Sequence, residues 1–223
     1  ALNPDMLLEA EAIEKMIKTM ENDVALGSVS PKVLKWDFSA KKKTNIIDTC
    51  GIKMLRGLKF VDAGQGKIDD GSFNEAEILG PSGAAAMYKI KALEKVRAGA
   101  GEYFDERFFM YKEDCDLAYR LHLAGYKSKC VNEAIIYHDR TAGGNGEGNF
   151  KTALNRKNKS KLIKEWSFFN QQIIFIKYWR QQNFSNKLAI IRQEIKIFVF
   201  ALFFEQYLFG ELWKLWKTIK NNS

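Results

Sequence analysis

The sequence has little cysteine, and its three residues, Cys50, Cys115 and Cys130, stand far apart with no Cys-x-x-Cys pair. That argues against a disulfide framework or a cysteine-based zinc site and fits a reducing compartment. No charged segment followed by an apolar core opens the chain, so no secretory signal is expected there. Long hydrophobic runs are missing too. The apolar run Ile197 to Phe204 is much shorter than the ~20 residues that span a bilayer, and Glu194, Lys196, Glu205, Glu211 and Lys214 interrupt the longer stretch around it. There is no internal repeat and no nucleic-acid-binding motif.

What is present is the composition of a soluble globular protein, 46% hydrophobic and 28% charged over 223 residues, close to ordinary values. That length suggests one large domain, or one domain with an appendage, able to bury a core without metal or disulfide staples. The charge is unevenly placed. Residues 1–150 hold 21 basic and 23 acidic side chains, whereas residues 151–223 hold 14 basic and 4 acidic ones. A basic tail implies an anionic partner, either lipid head groups or nucleic acid. The chain opens Ala1-Leu2-Asn3-Pro4-Asp5, without methionine and almost at once inside an expected helix, which fits a natural terminus after processing or a chain cut from a longer one.

Apolar side chains at Leu7, Leu8, Ile13, Met16, Ile17 and Met20 predict a helix over Pro4 to Met20. Short strands are expected at Ile46 to Asp48 and Ile52 to Leu55, around Gly51. A polar, glycine-rich loop follows from Asp62 to Gly71. Gly80 to Tyr88 reads as a small-residue turn entering a buried strand, followed by a helix over about Lys91 to Arg97. After the aromatic segment Phe104 to Tyr111, a helix is predicted from Glu113 to Ala124, closed by Gly125. Lys127 to Tyr137 reads as two short strands ending at His138. The glycine-rich stretch Ala142 to Asn149 is the expected domain boundary, dividing residues 1–141 from a tail over 142–223.

Two tail segments, Trp166 to Trp179 and Leu188 to Trp216, are helical in pattern, aromatic and basic at once. Trp213 and Trp216 beside Lys214, Lys217 and Lys220 fit a helix lying in the plane of a membrane surface. A helical hairpin packed on the globular body is the alternative.

The chemistry concentrates in Glu113-Asp114-Cys115-Asp116, where three carboxylates open a helix behind an aromatic wall. Acids at a helix start are favoured by free amides and the macrodipole. Asp114 as a cap, with Asp116 pairing to Arg120 one turn on, therefore stands beside Asp114 as a base taking a proton from an acceptor hydroxyl. His138 at a strand end and Asp5 after Asn3-Pro4 are each ordinary alone, Asp5 as an N-cap of the first helix. Together they offer an oxygen and an imidazole suited to Mn²⁺ or Mg²⁺ bound alongside phosphate oxygens.

The ordered series Asn3-Pro4-Asp5, Gly64-Gln65-Gly66, Gly80-Pro81-Ser82-Gly83-Ala84-Ala85, Phe104 through Arg120, Ala124-Gly125-Tyr126 and Ile136-Tyr137-His138 resembles the second half of a family 2 glycosyltransferase. The subgroup it most resembles is the bacterial rhamnosyltransferase-like enzymes that build surface polysaccharide and cell-wall glycans. The aromatic-Glu-Asp-x-Asp-Leu-x-x-Arg element is its most specific part. The resemblance implies an α/β fold: a GT-A-like (Rossmann-like) core lacking its N-terminal nucleotide-binding half, followed by an α-helical tail. It implies Asp114 as catalytic base and Asp5 as the last acid of the Asp-x-Asp-type metal motif, with Asn3 where that motif classically has its first aspartate. His138 would complete the metal site. Gly83 and Ala84 match a turn bordering acceptor and donor sugar, with Glu113 beside them, and Trp36 and the Asp62 to Gly71 loop would lie on the acceptor side.

The implied reaction is inverting transfer from a nucleotide-diphosphate sugar to a glycan, in the lipid-linked form if the tail holds the enzyme on the cytoplasmic face of a membrane. The family's nucleotide-binding half precedes the Asn3-Pro4-Asp5 position, so this chain is expected to be a fragment that binds donor poorly. A basic nucleic-acid-binding module is the rival from another class, opposed by confinement of the charge to the tail. A catalytically dead, membrane-associated remnant of the same fold is the second rival.

Overall fold

The computed structural model describes residues 1–37, 39–71, 73, 77–99, 101–138 and 160–221. The expected boundary loop at 142–149 lies outside the described residues. The chain divides into two compact units. One comprises residues 1–54, 60–106 and 113–158, and the other 55–59, 107–112 and 159–223.

The first unit is a mixed α/β layer. Its central strands are β2 (Leu26–Asp37) and β8 (Lys127–His138), which run parallel, with β1 (Met6–Leu8) antiparallel on β8 and β3 (Lys42–Thr49) antiparallel on β2. Two short strands extend the sheet, β6 (Glu77–Ile78) against β8 and β7 (Met87–Tyr88) against β2. A separate hairpin joins β4 (Ile52–Leu55) to β5 (Lys59–Asp62). Helix α1 (Ala12–Asn22) lays Ala12, Met16 and Met20 onto Val29, Val33, Val131 and Ile136 of the central strands. In a second cluster, Leu34, Ile47, Cys50, Cys130 and Tyr137 pack together. Helices α2 (Ile90–Lys95) and α3 (Glu113–Leu123) share a third, built on Leu93, Val96, Leu117 and Leu121. All three cysteines are buried, and none is in a disulfide.

Three expectations are corrected. The first helix begins at Ala12, not Pro4: Met6–Leu8 instead pair with Ile136–His138, because the run Met6-Leu7-Leu8 satisfies a sheet edge as well as a helix face and tertiary pairing decides. Asp5 is therefore no N-cap; that position belongs to Glu11, whose φ of 64° breaks the chain before the helix. Lys127 to His138 is one strand, not two. Its pairing with β2 jumps from Pro31↔Val131 to Lys32↔Ile135, a bulge that interrupts the hydrophobic alternation and leaves room for a proline without an N–H in a central strand.

The second unit is helical: α4 (Lys161–Tyr178), α5 (Phe184–Phe204) and α6 (Phe209–Asn221), linked by 3-10 turns at Trp179–Gln181 and Gln206–Leu208. Ser160 and Asn183 cap the first two by accepting the amides of Ile163 and Asn186. The expected long helix from Leu188 to Trp216 is broken at Glu205–Leu208, where the chain turns so that Leu208 packs with Phe168 and Ala201. Among the described residues no helix is long and apolar enough to cross a membrane.

Candidate functional site

Asp114 stands in the first turn of α3, half-buried, and its two carboxylate oxygens are held separately. Oδ2 accepts the Gly83 amide at 2.8 Å and Oδ1 the Cys115 amide at 2.7 Å. The long-range bond to Gly83 fixes the carboxylate against the Gly80 to Ala86 turn, while Oδ1 serves an amide in the first turn of its own helix. Gly83 is small for a reason. A Cβ there would meet Asp114 Oδ2 at 3.3 Å and Glu113 Oε1 at 3.4 Å, so the turn approaches both acids closely. Asp116 plays a different part. It is fully buried and accepts from Arg120 Nε at 2.8 Å. Arg120 also donates to the carbonyls of Tyr103 and Val96, tying α3 to the segments before it.

Glu113 is half-buried beside Asp114. Burial, reinforced by the Asp114 charge, pushes its carboxyl up to about 7, and its Oε2 is buried with no hydrogen-bond partner among the described residues. Near pH 7 one of two adjacent carboxyls is thus substantially neutral, the separation of roles that acid–base sites exploit. Tyr88 sits near both. Burial, then the charges of Asp114 and Glu113, raise its phenol, which stays protonated. Immediately ahead, Tyr111 and Lys112 have φ of 72° and 68°, left-handed values uncommon for bulky residues. Within the second unit, buried Asn170 of α4 donates to the carbonyls of Met110 at 2.8 Å and Tyr111 at 2.6 Å, holding this segment in place.

A second group forms at the end of β8. His138 is buried, with Nε2 3.3 Å from Asp5 Oδ2 and Nδ1 2.9 Å from Asp48 Oδ2. Strand pairing explains the meeting: Met6 lies opposite His138 in the β1–β8 register. Asp5 is exposed, whereas Asp48, at the inner end of β3, is fully buried. A buried carboxylate on Nδ1 favours the tautomer with the proton there, which turns the Nε2 lone pair toward Asp5. Two acceptor atoms facing each other at 3.3 Å require a proton or a cation between them. The donor set suits a divalent ion that takes one carboxylate and one imidazole from protein and completes its shell with water or phosphate oxygens. Among the described residues no group of three or more His, Cys, Asp and Glu side chains would hold a metal ion unaided.

The two groups are joined by backbone. The Asn3 amide donates to Ala84 O at 2.9 Å, and Leu2 bridges to Ala85, so Asp5, in the turn that follows, lies at most ~7 Å of chain beyond the strand-like contact that adjoins Gly83. The backbone thus links the Asp5–His138 pair to the turn in which Gly83 and Ala84 lie beside Glu113 and Asp114. Trp36 packs edge-on to Tyr137 with ring centroids 6.0 Å apart, in the cluster of Leu34 and Ile47; side chains alternate along β8, so this contact lies on the opposite face of the sheet from His138. Sequence reasoning misses Asp48, Tyr88 and Asn170. For Asp48 the available signal is a lone carboxylate inside the apolar strand Ile46-Ile47-Asp48; for Asn170 there is none.

Comparison of this sequence with models of known protein families and with curated proteins returned no match.

Proposed function

We propose that this chain carries the acceptor and metal side of an inverting, family 2-type glycosyltransferase with a GT-A fold, in which Asp114 is the catalytic base. The observation that carries the reading is the Gly83 amide on Asp114 Oδ2, 2.8 Å, because it orients a half-exposed carboxylate without consuming it. With one lone pair of each oxygen engaged by an amide, the carboxylate keeps acceptor capacity for a sugar hydroxyl. It takes that proton as the hydroxyl oxygen bonds to the anomeric carbon and the bond to the nucleotide diphosphate breaks on the opposite face, inverting the configuration. General base catalysis of this kind contributes roughly 10²–10⁴-fold. Glu113, substantially neutral near pH 7, keeps a second negative charge away from Asp114 and offers an O–H to a substrate oxygen.

Asp5 and His138 would hold a divalent cation, Mn²⁺ or Mg²⁺, whose chemistry is to offset negative charge on the departing diphosphate. Asp48 is the positioning residue of this pair: its bond to Nδ1 sets the proton away from Nε2. Gly83 and Ala84 border the sugar. The acceptor class is a glycan in lipid-linked form, reached at the cytoplasmic face of a membrane and used in surface polysaccharide or cell-wall synthesis; the basic helical unit supports this part.

The test is nucleoside diphosphate release by the native gene product across a panel of nucleotide-sugar donors, with and without Mn²⁺. One donor should give metal-dependent release. Asp48→Asn should raise the Mn²⁺ needed for half-maximal rate by about 10–100-fold while leaving the rate at saturating metal nearly intact. Release that ignores the metal, or an Asp48→Asn variant with an unchanged Mn²⁺ requirement, removes Asp5, His138 and Asp48 from the account.

A further inference from the structure

Helix α5 (Phe184–Phe204) buries few of its apolar side chains. Ile190 and Ala201 face inward, but Phe184, Leu188, Ile191, Ile195, Phe198 and Leu202 are each 46–82% exposed. Their spacing of four, three, four, three and four residues places them on a single stripe, about 27 Å long at helical rise. Scattered exposed leucines are normal in any protein; a continuous stripe of this length is not. It also runs on into the next helix, since the Phe198 ring meets the Phe209 ring at 5.3 Å. Beyond Phe209, α6 exposes Trp213 and Trp216, stacked with centroids 5.1 Å apart. Lys217 and Lys220 lie over those two rings at 5.3 Å each.

Charge selects the occupant. Residues 160–221 contain ten Lys and Arg against four Glu, and the four acids are turned inward or paired. Glu205 is buried on Lys164 at 3.2 Å and Glu211 on Lys214 at 2.6 Å. Glu165 lies 3.8 Å from Lys161 with 17% of its side chain exposed, and half-buried Glu194 accepts from Gln172 at 2.8 Å. Arg192 and Lys196 stand exposed along one edge of the stripe, and half-buried Lys187 follows the other. A second copy of the same helices would set cation against cation. Nucleic acid would match the charge but leave an aliphatic and phenylalanine stripe of about 27 Å in water.

We propose that the exposed faces of α5 and α6 form one docking surface for an anionic phospholipid bilayer. The stripe enters the acyl boundary and the two tryptophans sit at head-group depth. The lysines and arginines at the edges meet lipid phosphates. The helices lie in the plane of the surface. This surface deepens the membrane part of the proposed function, but it uses no residue of the glycosyl-transfer site and does not depend on the transfer chemistry.

The test is flotation of the purified chain with vesicles of phosphatidylcholine alone and with one-third phosphatidylglycerol, with tryptophan emission read on the same samples. Binding to the anionic vesicles should be at least tenfold tighter, blue-shift the emission and weaken with salt. The double variant Ile191→Ser, Ile195→Ser should lose at least tenfold in affinity for anionic vesicles. Lys217→Glu with Lys220→Glu should lose the preference for anionic lipid. Circular dichroism matching the parent shows that the helices are intact; if either double variant is misfolded, single Ile195→Ser takes its place with a loss of at least threefold. Asp114→Asn should bind vesicles like the parent, so this outcome is separable from the transfer reading. Unchanged vesicle binding by the folded stripe variant overturns the proposal. So does a parent that self-associates through the stripe in vesicle-free buffer, or one that binds duplex or single-stranded nucleic acid more tightly than anionic vesicles.

Discussion

Replacing Glu113 by glutamine should stabilise the first unit above neutral pH while changing little near pH 5. Burial, with the Asp114 charge second, raises the Glu113 carboxyl from an ordinary 4.5 to about 7. The folded chain therefore holds a proton that the unfolded chain releases between those two values. Stability contributed by this group is present in full below pH 4.5, falls as pH rises through the window to about 7, and stays lost above it. At full burial such a shift is worth about 3 kcal/mol. Glu113 is only half-buried, so solvent screening reduces the expected loss to about 1–2 kcal/mol. Glutamine is nearly isosteric and cannot ionise. Urea unfolding of parent and variant at pH 5 and pH 8 reads the difference, because the other titrating groups are common to both. With a slope of roughly 2 kcal/mol per molar urea, the variant's midpoint at pH 8 should lie about 0.5–1 M above the parent's. Midpoints that run parallel over this range would refute the assignment of a buried, destabilised carboxylate to Glu113.

Other residues give equally direct outcomes. Arg120→Met strands fully buried Asp116 without its cation and should cost about 3–5 kcal/mol in denaturant unfolding, with Asp116→Asn in the same background recovering part of it. Gly80→Ala puts a Cβ 2.4 Å from the Ala118 Cβ, a clash that only movement of α3 relieves; a loss of about 2–3 kcal/mol is expected by the same measurement. Asn170→Ala releases the carbonyls of Met110 and Tyr111 and should cost about 2–3 kcal/mol, visible as faster proteolytic cleavage around residues 107–112.

The element most legible in the sequence is α3. Its acids at Glu113, Asp114 and Asp116, its Asp116–Arg120 pair and Gly125 with a φ of 86° are local signals whose physics acts within a turn or two. Where pairing across distant segments decides, local signals mislead. Met6–Leu8 carry no mark that they will join Ile136–His138, and the bulge over residues 132–134, opposite Pro31 and Lys32, makes the single strand β8 look like two. The same limit applies to the candidate site. Asp5 and His138, 133 positions apart in sequence, stand out by residue type and meet at 3.3 Å. Asp48 completes the row only because β3 and β8 flank β2 and the two side chains meet across it, which no spacing rule reveals. In the tail the aromatic and basic pattern is plain, yet helical period alone does not say which apolar residues stay outside. Packing among Phe168, Ala201 and Leu208 settles that.

The base assignment is tested most directly with Asp114→Asn in the native gene product, measuring sugar transfer and donor binding on the same preparation. The amide keeps an oxygen to accept the Gly83 N–H but takes no proton from an acceptor hydroxyl. Transfer should fall by at least about 100-fold, with the donor dissociation constant changed by less than about threefold. Transfer near the parent's rate, with donor binding intact, would contradict the account.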